Sequence, residues 1–404
     1  MKRRPLGEVL AELERRHLIR RRTTIDGFVE PDNRLVTTAS GRPFVDFSSN
    51  DYLGLSHHPA VVAAMSACAS RSGAGSGASH LVTGHGIEHE RLEEELAAFT
   101  GRERALLFST GYMANVGVIA ALADRGESVL LDRLSHASII DGALLSGARF
   151  KRYAHADADA AERMLSESPD ESVLLATDGV FSMDGDIAPL PRLAKAARAH
   201  AAWLMVDDAH GIGVLGKTGR GSTEGLSPED VPVLVGTLGK AFGSFGAFVA
   251  GSGDLIEYLI QKARPYIYTT ALPQPVAAAT RKALEIAERE PWRRERVLTL
   301  TARFRKGAHA AQLRLLDSNT PIQPVVLGSA RAALQAQADL FEAGFSVVAI
   351  RAPTVPKGSE RLRVTLSAAH TEEQVDALVE NLARIQSARN VWERSDIGAV
   401  LPNE

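Results

Sequence analysis

The chain has 404 residues, 45% of them hydrophobic and 24% charged, which suits a globular protein able to bury one large core and a smaller second one. Its formal net charge of -3 supplies no single-sign field of the kind that holds nucleic acid or an anionic membrane, so polyanion binding is excluded as its main activity. No apolar run approaches the ~20 residues that a membrane span needs. The single cysteine, Cys68, follows the apolar stretch Val61-Val62-Ala63-Ala64-Met65; it excludes an internal disulfide framework and reads as a buried thiol in a reducing cytoplasm. Glu8, Glu12 and Glu14 interrupt the basic N-terminus, and no hydrophobic signal core follows, so no secretory or organellar address is expected.

Residues 6–19 place Leu6, Val9, Leu10, Leu13 and Leu18 among charges, the spacing of an amphipathic helix. From Phe44 to the 280s, short apolar runs alternate with helical patterns: Ala105–Phe108, Ser128–Leu131, Val173–Ala176, Trp203–Val206, Val233–Val235 and Phe248–Ala250. Runs that are apolar at every position suit strands covered on both faces, which predicts an α/β fold with a mainly parallel sheet. After Pro291 come a long charged helix, strands at Pro324–Leu327 and Arg361–Thr365, and a helix from Glu372, the pattern of a smaller α+β domain. The expected organisation is an N-terminal helical segment over 1–47, a large domain over 48–285 and a C-terminal small domain over 286–404, ending in a loosely held tail after about Val391.

Motifs for other chemistries fail on context. Gly211-Ile212-Gly213-Val214-Leu215-Gly216-Lys217-Thr218 fits the phosphate loop of nucleotide hydrolases, the main competitor from another class. That loop needs a helix starting at its lysine, whereas Gly219-Arg220-Gly221 follows here. Gly73-Ala74-Gly75-Ser76-Gly77-Ala78 fits the dinucleotide fingerprint but follows a helical stretch instead of a strand. His85-Gly86-Ile87-Glu88-His89 fits a short zinc-protease pattern, yet its glycines put the helix start near Ile87, after the first histidine; no metal site is expected.

One constellation does carry chemistry. Lys240 follows the buried strand Val233-Leu234-Val235-Gly236, between glycines that let a flat ring approach the backbone. Desolvation lowers an ammonium pKa and frees the amine to attack a carbonyl. In Trp203-Leu204-Met205-Val206-Asp207-Asp208-Ala209-His210, an acid ends an apolar strand, where ligands of open α/β sheets bind. Buried there, Asp207 needs a cationic partner, which a protonated pyridine nitrogen would supply. His210 is placed to reach the phenolic oxygen of such a ring, or else is a structural histidine. In Phe108-Ser109-Thr110-Gly111-Tyr112, a strand turns into a helix whose first N–H groups, those of Gly111 and Tyr112, suit a phosphate dianion. Thr237 adds a hydroxyl from the loop that carries Lys240, and His136 and Ser182, each after another buried strand, offer further polar groups to the same flat, phosphorylated pyridine.

The order of these elements resembles the α-oxoamine synthase family of fold-type-I pyridoxal-phosphate transferases. Matching residues run from Phe47-Ser48-Ser49-Asn50-Asp51-Tyr52-Leu53-Gly54 to Arg361-Leu362-Arg363-Val364-Thr365-Leu366. Gly75-Ser76-Gly77-Ala78-Ser79-His80-Leu81-Val82-Thr83-Gly84-His85 and Ile350-Arg351-Ala352-Pro353-Thr354 are similar to the alanine-using branch, with Ala352 where a proline is commoner. The resemblance implies pyridoxal 5′-phosphate held as a Schiff base on Lys240. It implies that His136 stacks on the ring, Asp207 and His210 hold the pyridine nitrogen and phenolic oxygen, and Ser182, Thr237, Gly111 and Tyr112 complete the cofactor site. Arg363 with Asn50 would bind the amino acid's carboxylate, and Arg20 and Thr354 the acyl group; the alternative for Arg20, within Arg20-Arg21-Arg22, is a solvated basic helix end. The implied substrates are L-alanine and pimeloyl-CoA or pimeloyl-acyl carrier protein, used by a cytoplasmic homodimer with Tyr266-Ile267-Tyr268-Thr269-Thr270 near the subunit boundary. Glycine C-acetyltransferase is the alternative within the family.

Overall fold

The computed structural model describes residues 5–16, 18–29, 34–37, 41, 43–168 and 172–398. By its internal contacts the chain divides into one unit of Asn50–Ser182 with Asp186–Arg296, and a second of Met1–Ser49, Met183–Gly185 and Val297–Glu404. The strands, in chain order, are β1 (Ile25–Val29), β2 (Arg34–Thr37), β3 (Pro43–Asp46), β4 (Arg104–Phe108), β5 (Ser128–Asp132), β6 (Arg149–Tyr153), β7 (Val173–Asp178), β8 (Trp203–Asp207), β9 (Val233–Thr237), β10 (Ala247–Gly251), β11 (Ile322–Val326), β12 (Phe345–Ser346), β13 (Val348–Ile350) and β14 (Arg361–Thr365).

In the larger unit the sheet order is β4-β10-β9-β8-β7-β5-β6. β9 through β6 run parallel, while β10 pairs antiparallel with both β4 and β9. Every residue of β5, β7 and β10 is buried. The alternation of side chains explains why these strands read as unbroken apolar runs: Val129 and Leu131 enter one core, with Ile119, Met205 and Val235, while Leu130 enters the other, with Leu175, Leu204 and Val206. Each fully buried leucine there contributes about 1.5–3 kcal/mol. β6 escaped the sequence reading because its Arg149-Phe150-Lys151-Arg152 lies at the sheet edge with its charges outward, as edge strands do.

The smaller unit holds β1-β2-β3-β12 and the antiparallel sheet β11-β14-β13. This corrects the expectation of a separate N-terminal helical segment over 1–47. Among the described residues of this segment only Leu6–Arg15 is helical, and β3 pairs in parallel with β12, so the N-terminal strands complete the smaller unit's own sheet. Residues 183–185 join this unit for a visible reason: the Arg361 guanidinium meets the Asp184 carboxylate at 2.5 Å, and the Ser318 hydroxyl donates to the Gly185 carbonyl at 2.9 Å. The last helix, Glu372–Gly398, continues past Val391 instead of giving way to a loose tail there. Cys68 is buried, and among the described residues no helix is long and apolar enough to cross a membrane.

At the carboxyl edge of β5 the Asp132 carboxylate, itself buried, accepts from the Leu134 and Ala156 N–H groups and from His155 Nδ1 at 3.0 Å. His155 Nε2 meets Asp186 Oδ2 at 2.9 Å. Only a protonated ring donates from both nitrogens. Burial pulls the His155 pKa down, but the hydrogen bonds and charges of Asp132 and Asp186 outweigh it and push it up to about 10. Because the folded value lies above the unfolded one, this stabilisation is complete below about pH 6.5 and is lost as pH rises through about 10. His155→Gln is expected to cost about 1–3 kcal/mol at pH 6. In thermal melts the gap between wild type and variant should shrink steadily toward pH 10; a gap independent of pH would mean that the ring is neutral in the fold.

Candidate active site

The carboxyl ends of the parallel strands present Asp132, Asp178, Asp207 and Thr237 along one edge of the sheet. Asp207 is 7% exposed. Its Oδ1 accepts from the Ala209 N–H at 3.0 Å and its Oδ2 from Asn115 Nδ2 at 2.6 Å. The same amide nitrogen donates to Ser138 Oγ at 2.8 Å, and that hydroxyl meets His136 Nδ1 at 2.6 Å. One continuous hydrogen-bonded line therefore runs from the Asp207 carboxylate to the His136 ring. Since Nδ1 accepts from Ser138, the ring's proton sits on Nε2. Crowding by protein lowers the His136 pKa despite the open face of its ring, with Asp207 opposing and Lys240 reinforcing that shift. The His136 N–H donates to Asp178 Oδ2 at 3.0 Å. Burial, and then the Asp207 charge, raise the Asp178 pKa well above its usual value.

Lys240 lies three residues beyond β9, half-buried. Its Nζ is 2.8 Å from His210 Nε2, and His210 Nδ1 is 2.6 Å from the Tyr52 hydroxyl. An amine hydrogen-bonded to an imidazole can release a proton without leaving its place. The charges of Lys240 and Asp207 both act on His136 and on Asp178, so the four groups share one small region.

Asp208, the next residue along from Asp207, points away by strand alternation and is fully buried. It accepts from the Ser222 N–H at 2.7 Å and the Ser222 hydroxyl at 2.6 Å; burial pushes its pKa up to about 7 against those bonds. A Cβ on Gly211 would lie 2.1 Å from Asp208 Oδ1, and one on Gly221, where φ is +93°, 1.9 Å from Oδ2. The glycines that imitate a phosphate loop thus wrap a carboxylate, and no helix follows Lys217.

The helix Gly111–Leu122 begins directly beyond β4. Thr110 Oγ1 accepts from the Met113 N–H at 3.1 Å, which leaves the Gly111 and Tyr112 N–H groups at the helix start outside the intrahelical pattern. The Tyr112 ring stands edge-on to His136, with centroids 6.5 Å apart, and its hydroxyl donates to Asp141. Thr237 Oγ1 donates to the Gly246 carbonyl at 3.1 Å. Ser182 is half-buried at the end of the loop beyond β7, and the Asn50 side chain lies 3.4 Å from the Tyr52 hydroxyl.

In the smaller unit, Arg363 is 5% exposed on β14 and donates to Thr365 Oγ1 at 3.1 Å. Arg20 and Thr354 both line a cavity of about 520 Å³ whose walls include Leu18, Ile19, Val348 and Ile350, with Arg351 beside them. Burial and the Arg20 charge lower the Arg351 pKa. Arg20 is exposed and lies beyond the end of the helix Leu6–Arg15.

Sequence reasoning passed over Tyr52, Asn115, Ser138 and Asp178. Asn115 had a legible signal, one helical turn beyond Gly111 and on the same side of the helix. Asp178 carried the same signal as Asp207, an acid ending an apolar strand, and was passed over, whereas nothing in the local surroundings of Ser138 distinguished it.

These residues fit pyridoxal phosphate: an amine in contact with an imidazole, a buried carboxylate for a ring nitrogen, and two helix-start N–H groups for a phosphate. The comparisons agree. The model of the class I and II aminotransferases matches residues 42–382. The 8-amino-7-oxononanoate synthase of Methylococcus capsulatus is 60% identical over 93% of this chain and 97% of its own, and that of Thioalkalivibrio sulfidiphilus 58% over 94% and 97%. A serine palmitoyltransferase from S. paucimobilis with bound PLP–myriocin aldimine superposes with a TM-score of 0.91 at 30% identity, covering 96% of this chain and 100% of its own. The 8-amino-7-oxononanoate synthase of Francisella tularensis gives 0.75 at 34% identity, over 86% and 99%. The chain belongs to the class I and II aminotransferase family and, within it, to the 8-amino-7-oxononanoate synthases, pyridoxal-phosphate-dependent acyltransferases of biotin synthesis.

Proposed function

We propose that this enzyme condenses L-alanine with a pimeloyl thioester, carried by coenzyme A or acyl carrier protein, releasing carbon dioxide and free thiol and forming 8-amino-7-oxononanoate. The observation that carries this reading is the convergence of Lys240, His210, Asp207 and His136 at the strand ends of a chain 60% identical to a synthase of that name. Bound pyridoxal phosphate supplies an electron sink for charge at the amino acid's Cα. Asp207, fixed by Asn115 and the Ala209 N–H, holds a proton on the ring nitrogen and keeps that sink cationic. Gly111 and Tyr112 would give their N–H groups to its phosphate, with the Thr237 and Ser182 hydroxyls, and His136 would hold its ring. His210 holds the phenolic oxygen side and keeps Lys240 Nζ in place.

Lys240 acts as the general base that takes the Cα proton, a role worth ~10²–10⁴ in rate. The carbon then attacks the thioester carbonyl, the carbon–sulfur bond breaks, and the thiolate leaves. The resulting β-keto acid loses carbon dioxide, and Lys240 returns the proton. The planar guanidinium of Arg363 suits the alanine carboxylate. The cavity lined by Arg20 and Thr354, with Leu18, Ile19, Val348 and Ile350 in its walls, receives the acyl chain. The enzyme works as a cytoplasmic homodimer, with exposed Tyr268 at the subunit boundary.

Lys240→Ala should abolish both the borohydride-sensitive visible absorbance and turnover. Asp207→Asn, losing a charge-assisted bond of about 1.5–3 kcal/mol, should retain cofactor and turn over roughly 10- to 150-fold more slowly. Normal turnover in Lys240→Ala refutes the assignment. In a thiol-release matrix, alanine with pimeloyl thioester should exceed glycine with acetyl thioester and serine with palmitoyl thioester; preference for serine would instead align the chain with the serine palmitoyltransferases it superposes on. Sedimentation of the active enzyme should show a dimer, and a fully active monomer would contradict a shared site.

A further inference from the structure

The zinc-protease pattern dismissed from sequence has a different outcome in three dimensions. The helix does begin at Ile87, after His85. But a π-helical turn over His80–Gly84 brings a third histidine to the same place. Gly84 makes that turn possible, since a Cβ there would lie 2.1 Å from the Ala78 carbonyl oxygen. The rings of His80, His85 and His89 form a near-equilateral triangle, with centroid separations of 5.1, 5.1 and 5.3 Å. One ligand nitrogen from each lies within 4.8 Å of the others. Three imidazoles around a tetrahedral cation, with nitrogen–metal bonds of about 2.05 Å and a further 1.1 Å to each ring centre, have centroids roughly 5.2 Å apart.

The hydrogen bonds are those of ligands oriented from behind. His89 is fully buried and its Nε2 meets the Leu272 carbonyl, which leaves Nδ1 as the lone-pair nitrogen. His85 Nε2 meets Glu90 Oε2 at 3.1 Å, so its Nδ1 is likewise the acceptor. Pairing of a metal-binding imidazole with a carbonyl or carboxylate on its far nitrogen is the usual outer shell of a zinc ligand. His85 Nδ1 faces His80 Nδ1 at 2.8 Å, so the proton between them belongs to His80.

We propose that His80, His85 and His89 form a binding site for a borderline divalent cation, zinc in the first place, apart from the pyridoxal-phosphate site. The cation takes the position of the proton shared by the His80 and His85 Nδ1 atoms; that pair opens by about half an ångström to the nitrogen–nitrogen distance of a tetrahedral site. His80 moves its proton from Nδ1 to Nε2, and His89 Nδ1 gives up the Gly86 N–H, now at 2.9 Å, for the metal. Water takes the fourth position on the side where His85 is 24% exposed. So bound, the cation clamps the π-helical turn to the helix Ile87–Thr100 and, through His89, to the segment at Leu272.

The test is titration of the chelator-dialysed holoenzyme, with its pyridoxal phosphate in place, by zinc and by cobalt(II). Zinc should saturate at one per chain, and cobalt should give the intense visible bands of a tetrahedral site. His85→Ala and His80→Gln should each lose both signals with cofactor absorbance retained. Exposed Glu90→Gln, which leaves the ligands and the fold intact, should weaken zinc binding about 10-fold through its effect on His85. Zinc binding undiminished in all three variants, or no saturable zinc binding by the wild-type holoenzyme, would overturn the proposal.

Discussion

A carboxylate held out of water at the end of β8 is the constraint from which the rest of the site follows. Asp207 is 7% exposed and, among the described residues, forms no ion pair with a guanidinium or ammonium; its side chain accepts from one backbone N–H and from the Asn115 amide. Burying an ion with only neutral donors is costly, and the surrounding groups respond to it. Asp178, within its field, has a raised pKa. The Asn115 amide turns its nitrogen toward the charge, and its buried oxygen has no partner in the protein. A protein that keeps such an arrangement has a cationic ligand to complete it, and a pyridinium meets that need where a permanent arginine would have blocked the ring.

The two adjacent aspartates show how strand alternation separates chemistry from architecture. Asp207 faces the Lys240 side, while Asp208 faces into the loop 211–222 and holds it by two bonds to Ser222. Asp208 can be approached at Gly211 only by a residue without a side chain, and Gly216, the other glycine of the motif, packs in the same way against the Glu224 carboxylate, which is how this segment acquires a spacing that imitates a nucleotide-binding motif. The resemblance to a phosphate loop is therefore a by-product of wrapping an anion that belongs to the protein itself.

Much of this was legible in the chain. The apolar runs that became β4, β5 and β7–β10 could be read because both faces of those strands are covered, and the residues that follow them could be picked out because ligands gather at strand ends. The edge strand β6 and the N-terminal strands were hidden: edge strands carry charge, and β3, besides its local pairing with β2, joins β12, some 300 residues away in sequence. Site residues whose roles are set by a neighbour were equally hidden. Tyr52 matters through His210, and Ser138 through Asn115 and His136, and no local pattern announces a contact formed across so much sequence. The histidine triangle was missed because a π-helical turn, which has no hydrophobic period to reveal it, brings in its third member.

Histidine shows most clearly that environment, not residue type, decides chemistry in this protein. His155 lies between two carboxylates and keeps its proton to about pH 10. His136 lies on a hydroxyl, with crowding and the Lys240 charge against it, and stays neutral. His210 links a phenol to an amine, so protons can pass along Tyr52, His210 and Lys240 without any side chain moving far. The His80, His85 and His89 rings face one another, with a carboxylate behind His85 and a carbonyl behind His89, the grouping on which the proposed cation site rests. A charged ring, a neutral platform, a relay and a set of ligands are thus obtained from one side chain, by controlling which partner each nitrogen meets.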